Sequence, residues 1–169
     1  MKSHPGGEAH SLRMIELAGL PDGASVLDMG AGAGESLTLL KGLGYKAEGI
    51  DLSPGSELVR KGDFLHTDCP DGSFDAVLSQ CAFYVSGNQS GALMEANRIL
   101  KSNGILMLSD VFFAEPLPML KEAGFKTLFA EDMTSQWREY YLEALWRDEC
   151  CFSVPGGKCS YMLLIGRKE

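Results

Sequence analysis

Residues 26–36 read VLDMGAGAGES, and no other stretch restricts the fold of this chain as strongly. An apolar pair, Val26 and Leu27, leads to an acid, Asp28. Three glycines follow at every second position, Gly30, Gly32 and Gly34, and then a helix-compatible run beginning at Glu35. That succession is a strand, a tight turn and the start of a helix. Glycine populates positive φ and lets a ligand approach the backbone, and a helix start offers unpaired N–H groups. In an open parallel sheet, a strand-to-helix turn of this kind is where nucleotide-like ligands bind.

The charges narrow the choice of ligand. A dinucleotide turn wants a third small residue one place later, and Glu35 stands there. A carboxylate at the helix mouth repels a pyrophosphate, and Asp28 does not favour one either. This disfavours a nicotinamide oxidoreductase. An acid before G-x-G-x-G suits a ligand with a cationic amino-acid end and no phosphates, a description that S-adenosylmethionine fits.

The remaining punctuation sets out an alternating chain. An N-terminal loop precedes an amphipathic helix over 8–18, closed by Gly19 and the turn Pro21-Asp22-Gly23. Strands are expected at 25–29, 45–50, 74–79, 105–111, 125–129 and 161–165. Helices are expected at 35–41, 91–100 with Ser90 as cap, 117–123 and 135–147, and Asn103-Gly104 reads as a turn. Only residues 53–61 separate the second strand from Gly62-Asp63-Phe64. A βαβ crossover needs about a dozen residues or more, so a third strand or its crossover helix must be stunted. The pattern predicts an α/β, doubly wound, mostly parallel sheet with helices on both faces.

Length and composition add exclusions. The 169 residues suit one domain. A net charge of −8 argues against a nucleic-acid substrate, which calls for a basic face. No apolar run is long enough for a bilayer, and the start MKSHPGGEAH has no signal-peptide core. Five cysteines, an odd number, fit reduced thiols and a cytoplasmic setting better than a disulfide framework. No membrane partner is expected; a homodimer is compatible with all of this.

Five stretches taken in order carry a resemblance: VLDMGAGAG (26–34), GIDLSP (49–54), GDF (62–64), DGSFDAVLSQ (71–80) and ANRILKSNGILMLSD (96–110). Together they resemble the class I methyltransferases that use S-adenosylmethionine (SAM), and among them the small-molecule group that includes ubiquinone and menaquinone biosynthesis enzymes. The resemblance implies a Rossmann-like sheet with an antiparallel last strand, SAM as cofactor and a small-molecule acceptor. It implies that Gly30, Ala31, Gly32 and Gly34 lie along the methionine portion and that Asp28 holds the amino group. Asp51 would accept both ribose hydroxyls, Leu52 would pack on the adenine, and Asp63 with Phe64 would meet its edge. Ser79 and Gln80 would stand beside the methyl group. Read alone, residues 51–54 also make a turn and cap, Asp63 a turn acid, and Gln80 and Cys81 plain strand-end residues.

A general base is needed only for an acceptor that keeps its proton near neutral pH. The candidates are Tyr84, Asp110, His10 and His4; His66 is a poorer choice because it follows the adenine motif. Cys150, Cys151 and Cys159 cluster late in the chain, and Cys81 ends a strand. Thiolates bind soft metalloids, which leaves open a metalloid or thiol methyltransferase, while the spacing fits no zinc site and buried inert thiols are the plainer reading. A SAM-binding protein without transferase activity is the other alternative, motivated by the short 53–61 connection. Finally, about thirty residues stand where a hairpin loop of about two to five would join the last two strands. With one strand parallel and the other antiparallel, both ends of the 131–159 insertion fall on the ligand-binding edge. Its Trp137, Arg138, Tyr140, Tyr141 and Trp146 suit an apolar or aromatic acceptor, and equally a dimer contact or a patch of extra core.

Overall fold

The computed structural model describes residues 5–146 and 158–169, without the side chains of Ala144 and Leu145. His4, Cys150, Cys151 and the expected break at Pro155-Gly156-Gly157 lie outside the described residues.

Strand β1 (Ser25–Met29) lies third from one edge of a seven-stranded sheet. Its neighbours are β2 (Lys46–Asp51) on one side and β4 (Phe74–Gln80) on the other, both parallel. A two-residue edge strand, β3 (Arg60–Lys61), lies beyond β2. On the other side come β5 (Leu100–Phe112), β7 (Ser160–Lys168) and β6 (Phe125–Asp132), giving the order β3-β2-β1-β4-β5-β7-β6. Strand β7 is antiparallel to both its neighbours, so β6 points the same way as β1. Chain direction reverses outward from β1, and the crevice between the carboxyl ends of β1 and β4 is the topological switch point.

Side-chain alternation along the strands divides the core. Leu27, Met29, Val77, Leu106 and Leu108 face α3 (Gln89–Ile99) and α4 (Pro116–Glu122). Val26, Ala76, Leu78, Met107 and Leu163 face α1 (Gly7–Ala18) and α2 (Glu35–Gly42). Helices therefore cover both faces, as the alternating pattern predicts.

Three local expectations change. The cap of α3 is Asn88, whose side chain accepts from the Gly91 N–H at 3.0 Å, not Ser90. Asn103-Gly104 does not end an element: β5 starts at Leu100, and the pair belongs to an irregularity where Leu100 to Ile105 faces only Phe74 to Ala76. Asn103 takes φ 61 there, the conformation that a tight turn would also ask of it. In the short connection after β2 both elements give way: β3 keeps two residues, and residues 52–59 contain no helix.

Among the described residues, no helix is long and apolar enough to cross a membrane.

Candidate active site

The site begins at the end of β1. The Gly30 and Ala31 N–H groups both donate to the Ile50 carbonyl, at 2.9 and 3.2 Å, and tie the turn to β2. Gly30 has φ 91, and a Cβ there would fall 2.2 Å from that of Ala82. Any side chain would push the end of β4 away from the turn. Gly32 differs: φ is 53, yet nothing lies within 4 Å of where its Cβ would be. One glycine permits close packing of protein on protein, while the other presents bare backbone to open space.

Asp51 bonds this turn directly, Asp28 precedes it on β1, and Asp63 follows β3. Asp51 ends β2 and accepts from the Gly32 N–H at 3.0 Å through one oxygen and from the Ser53 N–H at 2.8 Å through the other. Each oxygen keeps a lone pair, enough for two further donors. Asp28 is buried under the turn and accepts from the Ser36 hydroxyl in the first turn of α2. Burial pushes its pKa up to about 7, against the opposing Ser36 hydrogen bond and with a further upward contribution from the Asp51 charge. Asp63 is half-buried after β3 and accepts from the Leu65 N–H at 2.8 Å, an Asx turn. Phe64 is buried against Phe83, ring centroids 5.5 Å apart. Leu52 is exposed beside Asp51.

At the end of β4, the two residues expected beside the methyl group each make a hydrogen bond to a neighbouring element. Ser79 is fully buried and donates to the Met29 carbonyl at 2.8 Å, pinning β4 to β1. Gln80 accepts from the Ser11 hydroxyl of α1 at 3.1 Å. Cys81 follows with φ 55, uncommon for a residue with a side chain. Its N–H donates to the Ser109 carbonyl at 2.8 Å.

A buried polar chain lies behind this edge. His10 Nε2 meets Ser109 Oγ at 2.8 Å, Ser109 Oγ donates to Tyr161 Oη at 2.6 Å, and Tyr161 Oη lies 3.3 Å from Cys81 Sγ. Burial, with the Asp110 charge, drives the Cys81 thiol up to about 12, so it stays protonated. Burial also carries the Tyr161 phenol well above its ordinary range, aided by Cys81. Asp110 is fully buried and accepts from the N–H groups of Tyr84 at 2.9 Å and Val111 at 2.8 Å. Burial raises its pKa to about 7 against those bonds and one from the Phe83 N–H. Its geometry is that of a clamp on the turn Tyr84–Ser86. Among the described residues Tyr84, Asp110 and His10, Tyr84 alone stands half-open, its ring centroid 5.7 Å from that of the exposed Phe113. His66 is exposed, and its backbone N–H donates to the Asp63 carbonyl at 3.2 Å.

The helix α5 (Thr134–Trp146) starts where β6 ends. Trp137 is buried on Tyr161, the rings nearly parallel with centroids 6.1 Å apart, in one cluster with Val111, Cys81, Tyr84, Tyr141 and Cys159. Among the described residues, no group of three or more His, Cys, Asp or Glu is placed to hold a metal ion. Ser11, Ser109 and Tyr161 escape a reading of the sequence. Their partners lie 52 to 99 residues away, and no local pattern marks them.

Comparison with known proteins finds methyltransferases. Residues 27–108 match the family described as a methyltransferase domain. An arsenite methyltransferase of Aquipseudomonas alcaligenes is 31% identical over 118 residues, 55% of this chain and 34% of the relative. A demethylmenaquinone methyltransferase of Tropheryma whipplei is 31% identical over 125 residues, 64% of this chain and 50% of the relative. The chain thus spans a third to a half of the length of these curated relatives. Among solved structures, phosphoethanolamine N-methyltransferase 2 of Haemonchus contortus, in complex with S-adenosyl-L-methionine, shares the fold. It superposes with a TM-score of 0.76 at 18% identity, over 98% of this chain and 53% of that one.

Proposed function

We propose that this chain, built around a class I methyltransferase domain, transfers a methyl group from SAM to a small, largely apolar or aromatic acceptor. The observation that carries the reading is the pairing of Asp51 with the open Gly32 turn: a carboxylate locked at the strand end beside exposed backbone. Such a site offers acceptors for hydroxyls and ammonium groups. Its carboxylates Asp28, Asp51 and Asp63 suit a cationic, phosphate-free nucleoside, and the residues present fit SAM on those grounds. Held there by Asp28, Asp51 and the Gly30–Gly34 backbone, SAM would supply an electrophilic sulfonium methyl group.

The roles then divide by position. Gly30, Ala31, Gly32 and Gly34 provide backbone for the methionine portion, and Asp28 takes its amino group. Asp51 takes the ribose hydroxyls, while Leu52, Asp63 and Phe64 border the adenine. Ser79 and Gln80 act indirectly, by holding β4 to β1 and α1. The half-open Tyr84 is the side chain that can meet an acceptor proton; Asp110 and His10 serve by orienting the loop and helix around it. The helix α5 would bring Trp137 and Tyr141 to the acceptor. Alignment and exclusion of water supply much of the acceleration in an in-line displacement of this kind.

A second reading, methylation of a thiol or metalloid, draws on Cys81 and Cys159 meeting the same aromatic cluster. The protonated Cys81 thiol weighs against it, because the thiolate is the ligand form. A third, cofactor binding without transfer, follows from the helix-free 52–59 connection. Calorimetric titration with SAM and S-adenosylhomocysteine, followed by turnover of methyl-labelled SAM with hydroquinones, amines, thiols and arsenite, tests all three. The expected result is binding of both nucleosides and labelling of an aromatic acceptor. Absence of SAM binding refutes the proposal.

A further inference from the structure

The missing crossover helix leaves residues 52–59 free to do something else, and they fold onto the glycine turn. The Gly55 N–H donates to the Gly32 carbonyl at 2.9 Å, and the Ser56 hydroxyl donates to the Ala33 carbonyl at 2.7 Å. Val59 is buried in the core cluster that holds Ala31 and Leu37, with its side chain against Gly34. The Val59 N–H in turn donates to the Ser56 carbonyl at 3.3 Å, closing the segment on itself. Gly32 is therefore held on both sides of its peptide unit: its N–H by Asp51 and its carbonyl by Gly55.

We propose that residues 55–59 are a brace that pre-organises the cofactor turn in place of the lost helix, with Ser56 as its positioning residue. The inference rests on the SAM reading above. The physical need is specific to this turn. Gly30, Gly32 and Gly34 lie within five residues, all at positive φ, and glycine loses more backbone freedom on ordering than any other residue. Left loose, the turn would have to order itself each time a ligand arrived. Held in advance, it spends none of the binding energy on ordering. The brace does this from outside the ligand space: it takes the carbonyls of Gly32 and Ala33 and leaves the face over the Gly32 Cα open.

Two substitutions separate this from a plain surface loop. Ser56→Ala removes one hydroxyl from a half-buried position and should leave the fold intact. Gly55→Ala places a Cβ 3.1 Å from the Ala33 Cα and wedges the brace off the turn. Calorimetry should show SAM and S-adenosylhomocysteine both bound about three- to tenfold more weakly by Ser56→Ala, the loss expected of one neutral hydrogen bond. Gly55→Ala should lose more. Ser56→Thr, which keeps the hydroxyl, should restore affinity. Faster amide exchange at Gly32 in Ser56→Ala, with an unchanged melting temperature, would mark a local loosening that a merely structural residue would not give. Wild-type affinity in both Ser56→Ala and Gly55→Ala overturns the brace while leaving the proposed function standing. Failure of the unaltered chain to bind SAM overturns both.

Discussion

With the SAM amino group on Asp28, as proposed, cofactor binding should depend on pH, and the size of the effect follows from the surroundings of that carboxyl. In the free protein burial holds its carboxyl near pKa 7, so at pH 5 it is almost wholly protonated. An ammonium group within hydrogen-bond reach favours the charged form and lowers a carboxyl pKa by about 1–3 units. Binding at pH 5 must then release a proton, whereas binding at pH 8 need not. If the shift is about two units, affinity should climb about 25-fold between pH 5 and 7, or about 2 kcal/mol, out of a total of about a hundredfold over the whole titration. Above pH 7 the curve should flatten. Asp28→Asn keeps the shape and can still accept from Ser36, but it cannot ionise. The variant should bind with little pH dependence and match the wild type only at the acid end. Calorimetry at pH 5, 6, 7 and 8, repeated in buffers of different ionisation enthalpy, measures both the affinity and the protons released. A wild-type affinity that stays flat from pH 5 to 8, with no proton release at pH 5, refutes the placement of the amino group on Asp28.

The same carboxyl sets a stability trend of opposite direction in the free protein. Asp28 and Asp110 both have folded pKa values near 7, above their unfolded values, so their contribution is complete below about pH 4 and is lost as pH rises through about 7; melting temperatures should fall from pH 5 to 8, less steeply in Asp28→Asn. Asp51→Ala should cost about 1–3 kcal/mol of SAM affinity by removing charge-assisted bonds and the anchor of the Gly32 N–H, and calorimetry of the folded variant checks it. Gly32→Val has room for its side chain but not the right φ, so SAM binding should vanish while circular dichroism still shows a folded protein with a lower melting point. Replacing residues 133–159 by a short turn should leave SAM affinity nearly intact and abolish labelling of the true acceptor; an equal loss of both would place the segment's role in the fold instead.

What the sequence makes legible here is local, and what it hides is pairing across distance. The turn after β1 declares itself because three positive-φ glycines and a helix start stand next to one another in the chain. The same holds for the bounds of β1 and for helices on both faces. By contrast, a strand-end position marks Ser79 and Gln80 in the sequence, but their partners Met29 and Ser11, 50 and 69 residues away, are set only by packing across the sheet. Asn103-Gly104 carries the chemistry of a tight turn, and only pairing with β4 decides that it serves inside a strand. The connection after β2 shows the boundary most clearly. Counting residues proves that a helix and a full strand do not both fit between Asp51 and Gly62. Which one yields depends on what the sheet needs at that edge. Two residues of β3 suffice to pair Ile50 with Arg60 and Asp51 with Lys61, and the Gly62 N–H closes on the Asp51 carbonyl at 2.9 Å. That short strand fixes the backbone of Asp51, whose carboxylate the glycine turn depends on. A helix contributes nothing to that anchor, so the helix is the element lost, and the residues it would have used fall against the turn.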